Sequence, residues 1–190
     1  MNKLEIENYV KAGKISQELR DYIKEIVKPD MKLVEIAEKV HSKIEELGAK
    51  PAFPVNLSID DVAAHFHPNL DDDQVASGLL KVDFGIHVDG FIADSAISLD
   101  LTEDNRHKEL IESVELALKE ALELLNDDPT LDEIGGKIQS VIESKGFSPV
   151  VNLSGHSVDQ HQIHSGITIP NYANGHDVVL PSGGFAIEPF

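Results

Sequence analysis

The stretch Lys81–Leu99 consists of two apolar runs separated by Asp89 and Gly90, and it limits the fold more than any other part of the chain. Asp-Gly between alternating hydrophobic segments is the strongest short-range signal for a β-hairpin. A two-residue turn there sets the register, so that Gly85 pairs with Asp94. The sequence therefore predicts a long antiparallel hairpin in the middle of the chain.

Side chains alternate between the two faces of a strand, so the hairpin has one apolar face and one mixed face. The apolar face carries Val82, Phe84, Ile86, Val88, Phe91, Ala93 and Ile97. The mixed face carries Asp83, Gly85, His87, Ile92, Asp94 and Ala96. Asp83 and Asp94 are diagonal neighbours on it, with backbones about 7–8 Å apart, so both carboxylates can reach a pair of metal ions about 3.5–4 Å apart. Two solvated aspartates on an exposed face are the alternative, although aspartate is depleted in strands.

Helical spacing of apolar residues and helix-stop signals predict four helices, and short apolar or proline-containing runs predict further extended segments. The predicted helices are Leu4–Val27, Leu33–Leu47, Asn105–Leu125 and Leu131–Lys145. The predicted extended segments are Pro51–Ile59, Ser148–Ser154, Ile163–Ile169 and Phe185–Ile187, and Leu70–Gly78 is predicted as an acidic loop.

An internal repeat indicates duplication. Leu33–Gly48 and Leu131–Gly146 share eight of sixteen residues at an offset of 98, and each copy leads to an Asn-Leu-Ser motif, at Asn56–Ser58 and Asn152–Ser154. Two amphipathic Lys/Glu helices can look alike by composition, but the matched glycine stop and the matched motif favour a repeat. We predict a single α+β domain of residues 1–190, with half-repeats at about 1–102 and 103–190 whose strands form one antiparallel sheet under the helices.

The composition excludes several classes of function. The 190 residues carry a formal net charge of −18, which argues against a surface for nucleic acid or anionic membranes. No cysteine is present, so a metal would need oxygen and imidazole ligands. Met1–Val10 is charged and no apolar run is long enough to span a bilayer, so we expect a cytoplasmic protein.

Five polar residues are predicted on or beside strands, where an unpaired carboxylate is costly. They are Asp83, Asp94, His156, His164 and Glu188. Any single histidine among the nine is more often structural than a ligand, and the zinc-helix motif HExxH is absent. Spacing alone supports a carboxylate-rich metal hydrolase and nothing more specific.

Five segments carry a resemblance to a known family: PAFPVNLSIDDVAAH, KVDFGIHVDGFIADSA, NLSGH, IHSGITIPN and FAIEPF. Together they resemble methionine aminopeptidase type 2, of the archaeal and eukaryotic kind, over nearly the whole chain. The resemblance implies the duplicated pita-bread fold that this family shares with prolidase and creatinase, and removal of N-terminal methionine from nascent proteins.

The resemblance also implies roles for individual residues. Asp83 resembles the chelating ligand of one metal, Asp94 the carboxylate that bridges two metals, and His156 the imidazole ligand of the other. Glu188 resembles a further ligand that also acts as general base. His65 and His164 resemble histidines that position the substrate and stabilise the tetrahedral intermediate, and Phe53 and Ile163 match positions that line the methionine pocket.

The cofactors implied are two divalent ions, which could be cobalt, manganese, iron or zinc. The implied substrates are nascent polypeptide N-termini with a small second residue. The ribosome is a further candidate partner, a monomer is expected, and neither nucleic acid nor membrane is. Two rival functions stay open: a prolidase-like Xaa-Pro peptidase, and a non-catalytic binding protein that keeps the fold.

The chain departs from the pattern of this family in two places. Members of the family continue past the strand of Glu188 to final strands and one more bridging glutamate, so we expect a fragment with an incomplete fold rather than the remnant of a lost enzyme. The family usually has Gly-Asp ahead of the strands that carry Asp83 and Glu188, whereas this chain has Gly78-Leu79 and Gly183-Gly184.

Overall fold

The computed structural model describes residues Met1–Phe190 as two compact units, the first comprising Met1–His107 with Gln160–Gln162 and the second Lys108–Asp159 with Ile163–Phe190. The helices are α1 (Lys3–Ile26), α2 (Leu33–Glu46), α3 (Lys108–Leu124) and α4 (Leu131–Ser144), with a short 3₁₀ helix at Leu125–Asp127. The strands are β1 (Lys50–Pro51), β2 (Asn56–Ile59), β3 (Leu79–Val88), β4 (Phe91–Asp100), β5 (Ser154–Val158), β6 (Thr168–Pro170) and β7 (Gly184–Ala186). No helix has the length and apolar character needed to cross a membrane.

The first unit is built on the predicted hairpin. β3 and β4 pair over their full length with the register set by the Asp89-Gly90 turn, including Gly85 opposite Asp94. β1 and β2 pair with the other edge of β3, so this sheet has four antiparallel strands. The predicted core face is confirmed, because Val82, Phe84 and Ile86 are fully buried.

Two amphipathic helices supply the rest of this core. α1 buries Leu19 and Ile23 completely, and α2 buries its own apolar side, including Ile36 and Ile44. Each such side chain contributes about 1.5–3 kcal/mol through burial. α1 begins with a capping box between Asn2 and Glu5, which satisfies backbone donors that the helix itself cannot pair.

The second unit contains α3 and α4 and a three-stranded antiparallel sheet of order β6-β5-β7. Its core is formed mainly by α4, whose Ile134, Ile138 and Ile142 are buried with Ile169 of β6. α4 begins with a second capping box, between Thr130 and Glu133. The prediction of one sheet is therefore wrong, because the strands form two sheets: β1, β2 and β4 pair with β3 in one, and β6 and β7 pair with β5 in the other.

Several predicted boundaries are also wrong. α3 begins at Lys108 rather than Asn105, because the Asp100 carboxylate accepts hydrogen bonds from the backbone N–H groups of Thr102 (3.0 Å) and His107 (2.7 Å) and holds this segment as a turn. The predicted extended segment Ser148–Ser154 forms no strand before Ser154; there, Val150 N–H donates to the carbonyl of Phe190 at 2.9 Å.

The last two predicted strands are shorter or shifted. Before Thr168 the chain is held by Ser157, whose hydroxyl accepts from Ser165 Oγ (2.8 Å) and from Ile167 N–H (2.9 Å), so ladder pairing begins only at Thr168. β7 covers Gly184–Ala186 rather than Phe185–Ile187. Glu188 therefore lies just beyond β7 and not within it.

Candidate functional site

The first unit carries two of the predicted metal ligands, Asp83 and Asp94, on one face of the β3–β4 hairpin. Their registers make them diagonal neighbours, as predicted, because Asp83 pairs with Ala96 and Asp94 with Gly85. Both side chains are half-buried. Asn56 of β2 pairs with Asp83 on the other side, and its amide Nδ2 donates to Asp83 Oδ2 at 3.1 Å.

Phe53 lies against the same face. A Cβ built on Gly85 would come within 2.2 Å of the Phe53 ring, so only glycine at this position leaves room for the aromatic ring. Ala52 N–H donates to the Gly85 carbonyl at 2.8 Å and fixes the segment that carries Phe53. The structure thus brings an aromatic side chain and two carboxylates to one face of this sheet.

His65 lies in the loop after β2 in a left-handed conformation with φ of 64°. Such a conformation costs a non-glycine residue about 1–2 kcal/mol, and the next residue provides an anchor. Phe66 packs against the core, and its carbonyl accepts a hydrogen bond from Leu57 N–H at 2.6 Å. The imidazole of His65 is exposed at this anchored turn.

The second unit groups His156, His164 and Glu188. His156 lies on β5 and is 8% exposed, and its ring meets the ring of the exposed His164 edge to face, with centroids 4.3 Å apart. His156 Nε2 lies 2.9 Å from Glu188 Oε1. The chain carrying Glu188 passes close to β5, because a Cβ on Gly155 would lie 2.4 Å from the Ala186 carbonyl oxygen and 3.1 Å from Glu188 N. Ile163 is half-buried next to His164.

The Glu188 carboxylate is one of the groups that could hold a metal ion. Its Oε1 is buried and accepts no directed hydrogen bond, despite its 2.9 Å separation from His156 Nε2. A buried acceptor left unpaired costs about 1–3 kcal/mol, and more when it is charged. Adjacent ligand atoms around an ion at about 2.1 Å are themselves about 3 Å apart. A divalent cation held by both atoms would remove this cost.

Two contacts beside these residues were not predicted. One is the Asn56–Asp83 hydrogen bond, and the other is an edge-to-face contact of His87 with His161, whose ring centroids are 5.4 Å apart. His161 N–H also donates to the Gly90 carbonyl at 2.8 Å. Periodicity predicts neither contact, because both join segments distant in sequence. The Asn-Leu-Ser motif was the available signal for Asn56.

Comparison with known proteins identifies the family. A family model described as metallopeptidase family M24 matches residues 7–190. The chain belongs to this family. It is 41% identical to a methionine aminopeptidase of Pyrococcus horikoshii over 98% of its own length and 64% of that protein, and 42% identical to one of Methanocaldococcus jannaschii over 98% and 65%. The chain thus spans just under two thirds of the length of these M24 relatives.

Solved structures give the same assignment for the fold. A crystal structure of methionine aminopeptidase from Thermotoga maritima matches with a TM-score of 0.87 at 27% identity, covering 100% of this chain and 80% of that one. A prolidase from Pyrococcus horikoshii matches with a TM-score of 0.79 at 24% identity, covering 99% and 55%. The predicted α+β, pita-bread fold of this M24 chain is confirmed.

Proposed function

We propose that this M24 chain is a methionine aminopeptidase that hydrolyses the first peptide bond of a polypeptide and releases methionine. One observation carries the proposal: the buried Glu188 Oε1 has no hydrogen-bond donor directed at it and lies 2.9 Å from His156 Nε2, as two ligands of one ion would. The relatives named methionine aminopeptidase, at 41% and 42% identity, favour this activity over the alternatives.

We propose Asp83, Asp94, His156 and Glu188 as metal ligands. Carboxylate and imidazole groups are suitable ligands for manganese, iron, cobalt and zinc. In this assignment Asp83 would hold one ion, Asp94 would hold both ions, and His156 and Glu188 would hold the second. Membership of the metallopeptidase family supports metal binding by this chain. The number of ions and their identity are part of the proposal.

The remaining residues are proposed to bind the substrate and move the proton. Bound divalent ions would supply a nucleophile at neutral pH by lowering the pKa of water. Glu188 would take up the proton as general base and deliver it to the leaving amine. His65 and His164 would donate hydrogen bonds to the scissile carbonyl as negative charge develops on its oxygen. Phe53 and Ile163 would enclose the unbranched methionine side chain.

The proposal also covers the substrates, the partners and the cellular location of the protein. The substrates are nascent chains with a small second residue, the ribosome is a further partner, and the protein acts as a monomer in the cytoplasm without binding nucleic acid or membranes. The type 2 subtype and the single domain of two half-repeats, at about 1–102 and 103–190, also stay predictions.

Release of free methionine from a Met-Ala-Ser peptide tests the activity. We expect release by the 190-residue chain with manganese or cobalt, none with chelator, and none from Asp94→Asn. An Asp71→Asn variant, which changes an exposed loop carboxylate, should keep the activity. Preferential cleavage of an Xaa-Pro peptide would favour the prolidase-like alternative, and metal binding without any cleavage would contradict the proposed activity of this chain.

A further inference from the structure

Asn56 is the first residue of β2 and the direct cross-strand partner of Asp83. Its amide nitrogen lies 3.1 Å from Asp83 Oδ2. An ionised carboxylate only accepts hydrogen bonds, so the amide must present its N–H₂ group to this oxygen. Both side chains are half-buried, which limits competition from water.

The backbone that presents this amide is fixed on both sides. Val55 and Leu57, which flank Asn56, are 1% and 0% exposed, and Leu57 N–H is paired with the Phe66 carbonyl. Asn56 therefore has little freedom to follow a moving carboxylate. A donor held in this way restricts the rotation of the Asp83 carboxylate about its terminal torsion, which is otherwise broad.

The repeat provides an internal comparison. Asn152 is the same residue in the second Asn-Leu-Ser motif, but it is exposed and precedes β5 instead of lying in a strand. The Asn-Leu-Ser motif can therefore occur with an exposed asparagine side chain. The contact with Asp83 is particular to the first copy.

We infer that Asn56 is a positioning residue for the proposed metal ligand Asp83, holding its carboxylate in the orientation that binds the ion. The inference rests on the proposed metal centre. When a residue that hydrogen-bonds to a metal ligand is removed, metal affinity typically falls by about 10–100-fold. In this assignment Asn56 would bind the ligand rather than the ion, so its loss should weaken metal binding without abolishing it.

Titration of the metal-free 190-residue chain with cobalt, followed by calorimetry and by the visible absorption of the bound ion, tests the inference. We expect Asn56→Ala to weaken cobalt binding about 10–100-fold, with an altered absorption spectrum. Asn56→Val, which suits a strand and also lacks a donor, should do the same if the alanine variant folds poorly. Asn152→Ala is the matched control and should bind cobalt as the unaltered chain does.

Asp83→Ala distinguishes failure of the positioning role of Asn56 from failure of the proposed metal centre. Suppose that Asp83→Ala does not bind cobalt, but that the dissociation constants of Asn56→Ala and Asn56→Val are within about twofold of that of the unaltered chain. This change is well below the range expected for an orienting group. The positioning role of Asn56 is then wrong, and the proposed metal centre stands. If Asp83→Ala binds cobalt normally, or the unaltered chain binds none, the proposed ligand role of Asp83 fails and the inference fails with it.

Discussion

At the scale of single residues, His87 shows how an imidazole can be used as a neutral structural group. Its Nδ1 accepts a hydrogen bond from Gly90 N–H at 3.1 Å inside the hairpin turn. Burial lowers the pKa of His87, and the neighbouring His161 and Lys50 lower it further, while Asp89 opposes them. Protonation would place a hydrogen on the nitrogen that accepts from Gly90, so the folded state favours the neutral ring.

The pH dependence of stability follows from this lowered pKa. Between the folded pKa and the ordinary value of about 6.5, the unfolded chain binds a proton that the folded chain does not. The contribution of His87 is therefore fully present above about pH 6.5 and is lost as the pH falls. In His87→Asn the amide oxygen can still accept a hydrogen bond from Gly90 N–H. Between about pH 7.5 and about pH 5.5, the free energy of unfolding should fall less in this variant than in the unaltered chain. Urea unfolding measures the difference.

A control separates this effect from general acid sensitivity. His67 is exposed, so His67→Asn should keep the pH dependence of the unaltered chain. The pKa of His41 is also lowered by burial, but His41 is common to all three proteins and its effect cancels in the comparison. An identical pH slope in His87→Asn would contradict the assignment.

At the scale of elements, the two repeat helices begin differently although their sequences match. α4 begins with Thr130, whose hydroxyl accepts from Glu133 N–H at 3.2 Å while the Glu133 carboxylate accepts from Thr130 N–H at 2.7 Å. α2 begins after Lys32 without a side-chain cap. The first residue of each helix donates its N–H to a distant carbonyl, Leu33 to Gln74 and Leu131 to Val178, at 2.9 Å each. The two helix starts therefore differ in the side-chain cap, which only α4 has.

Replacing the cap should destabilise the second unit selectively. Thr130→Ala is expected to lower the free energy of unfolding by about 1 kcal/mol, because the first-turn donor of Glu133 loses its acceptor. Thr130→Ser keeps the hydroxyl and should recover most of the stability. Denaturant unfolding measures both, and equal losses in the two variants would show that the methyl group, not the hydrogen bond, provides the stabilisation.

The hairpin and the helices could be predicted from the sequence, but several connections could not. The Asp89-Gly90 turn specifies its own register, so the shared face of Asp83 and Asp94 followed from local chemistry. The start of α3 depended on the Asp100 carboxylate, which binds backbone groups up to seven residues away. The partner of Asn56 depended on which edge of β3 the second strand pairs with, and no local pattern encodes that choice.

At the scale of the whole molecule, a bound metal should appear as added stability. A ligand that binds only the folded chain stabilises it by about 2.7 kcal/mol at one hundred times its dissociation constant, which is a rise in Tm of roughly 5–10 °C for a chain of this size. We expect this rise with cobalt, its reversal by chelator, and a smaller rise in Asp94→Asn, measured by thermal unfolding. Asp71→Asn should behave like the unaltered chain, and no rise in any of them would contradict a bound ion.

The assignment of Gln160–Gln162 to the first unit has a consequence for any attempt to divide the protein. The hairpin turn takes one hydrogen bond from His161 N–H to the Gly90 carbonyl and another from Gln160 Nε2 to the Asp89 carbonyl, at 2.8 Å each. A cut at the unit boundary after His107 removes both donors from the piece that holds the turn. The first unit is therefore not one continuous segment of the chain. A gene split at that boundary would place Gln160–Gln162 on a different polypeptide from the hairpin turn that they contact.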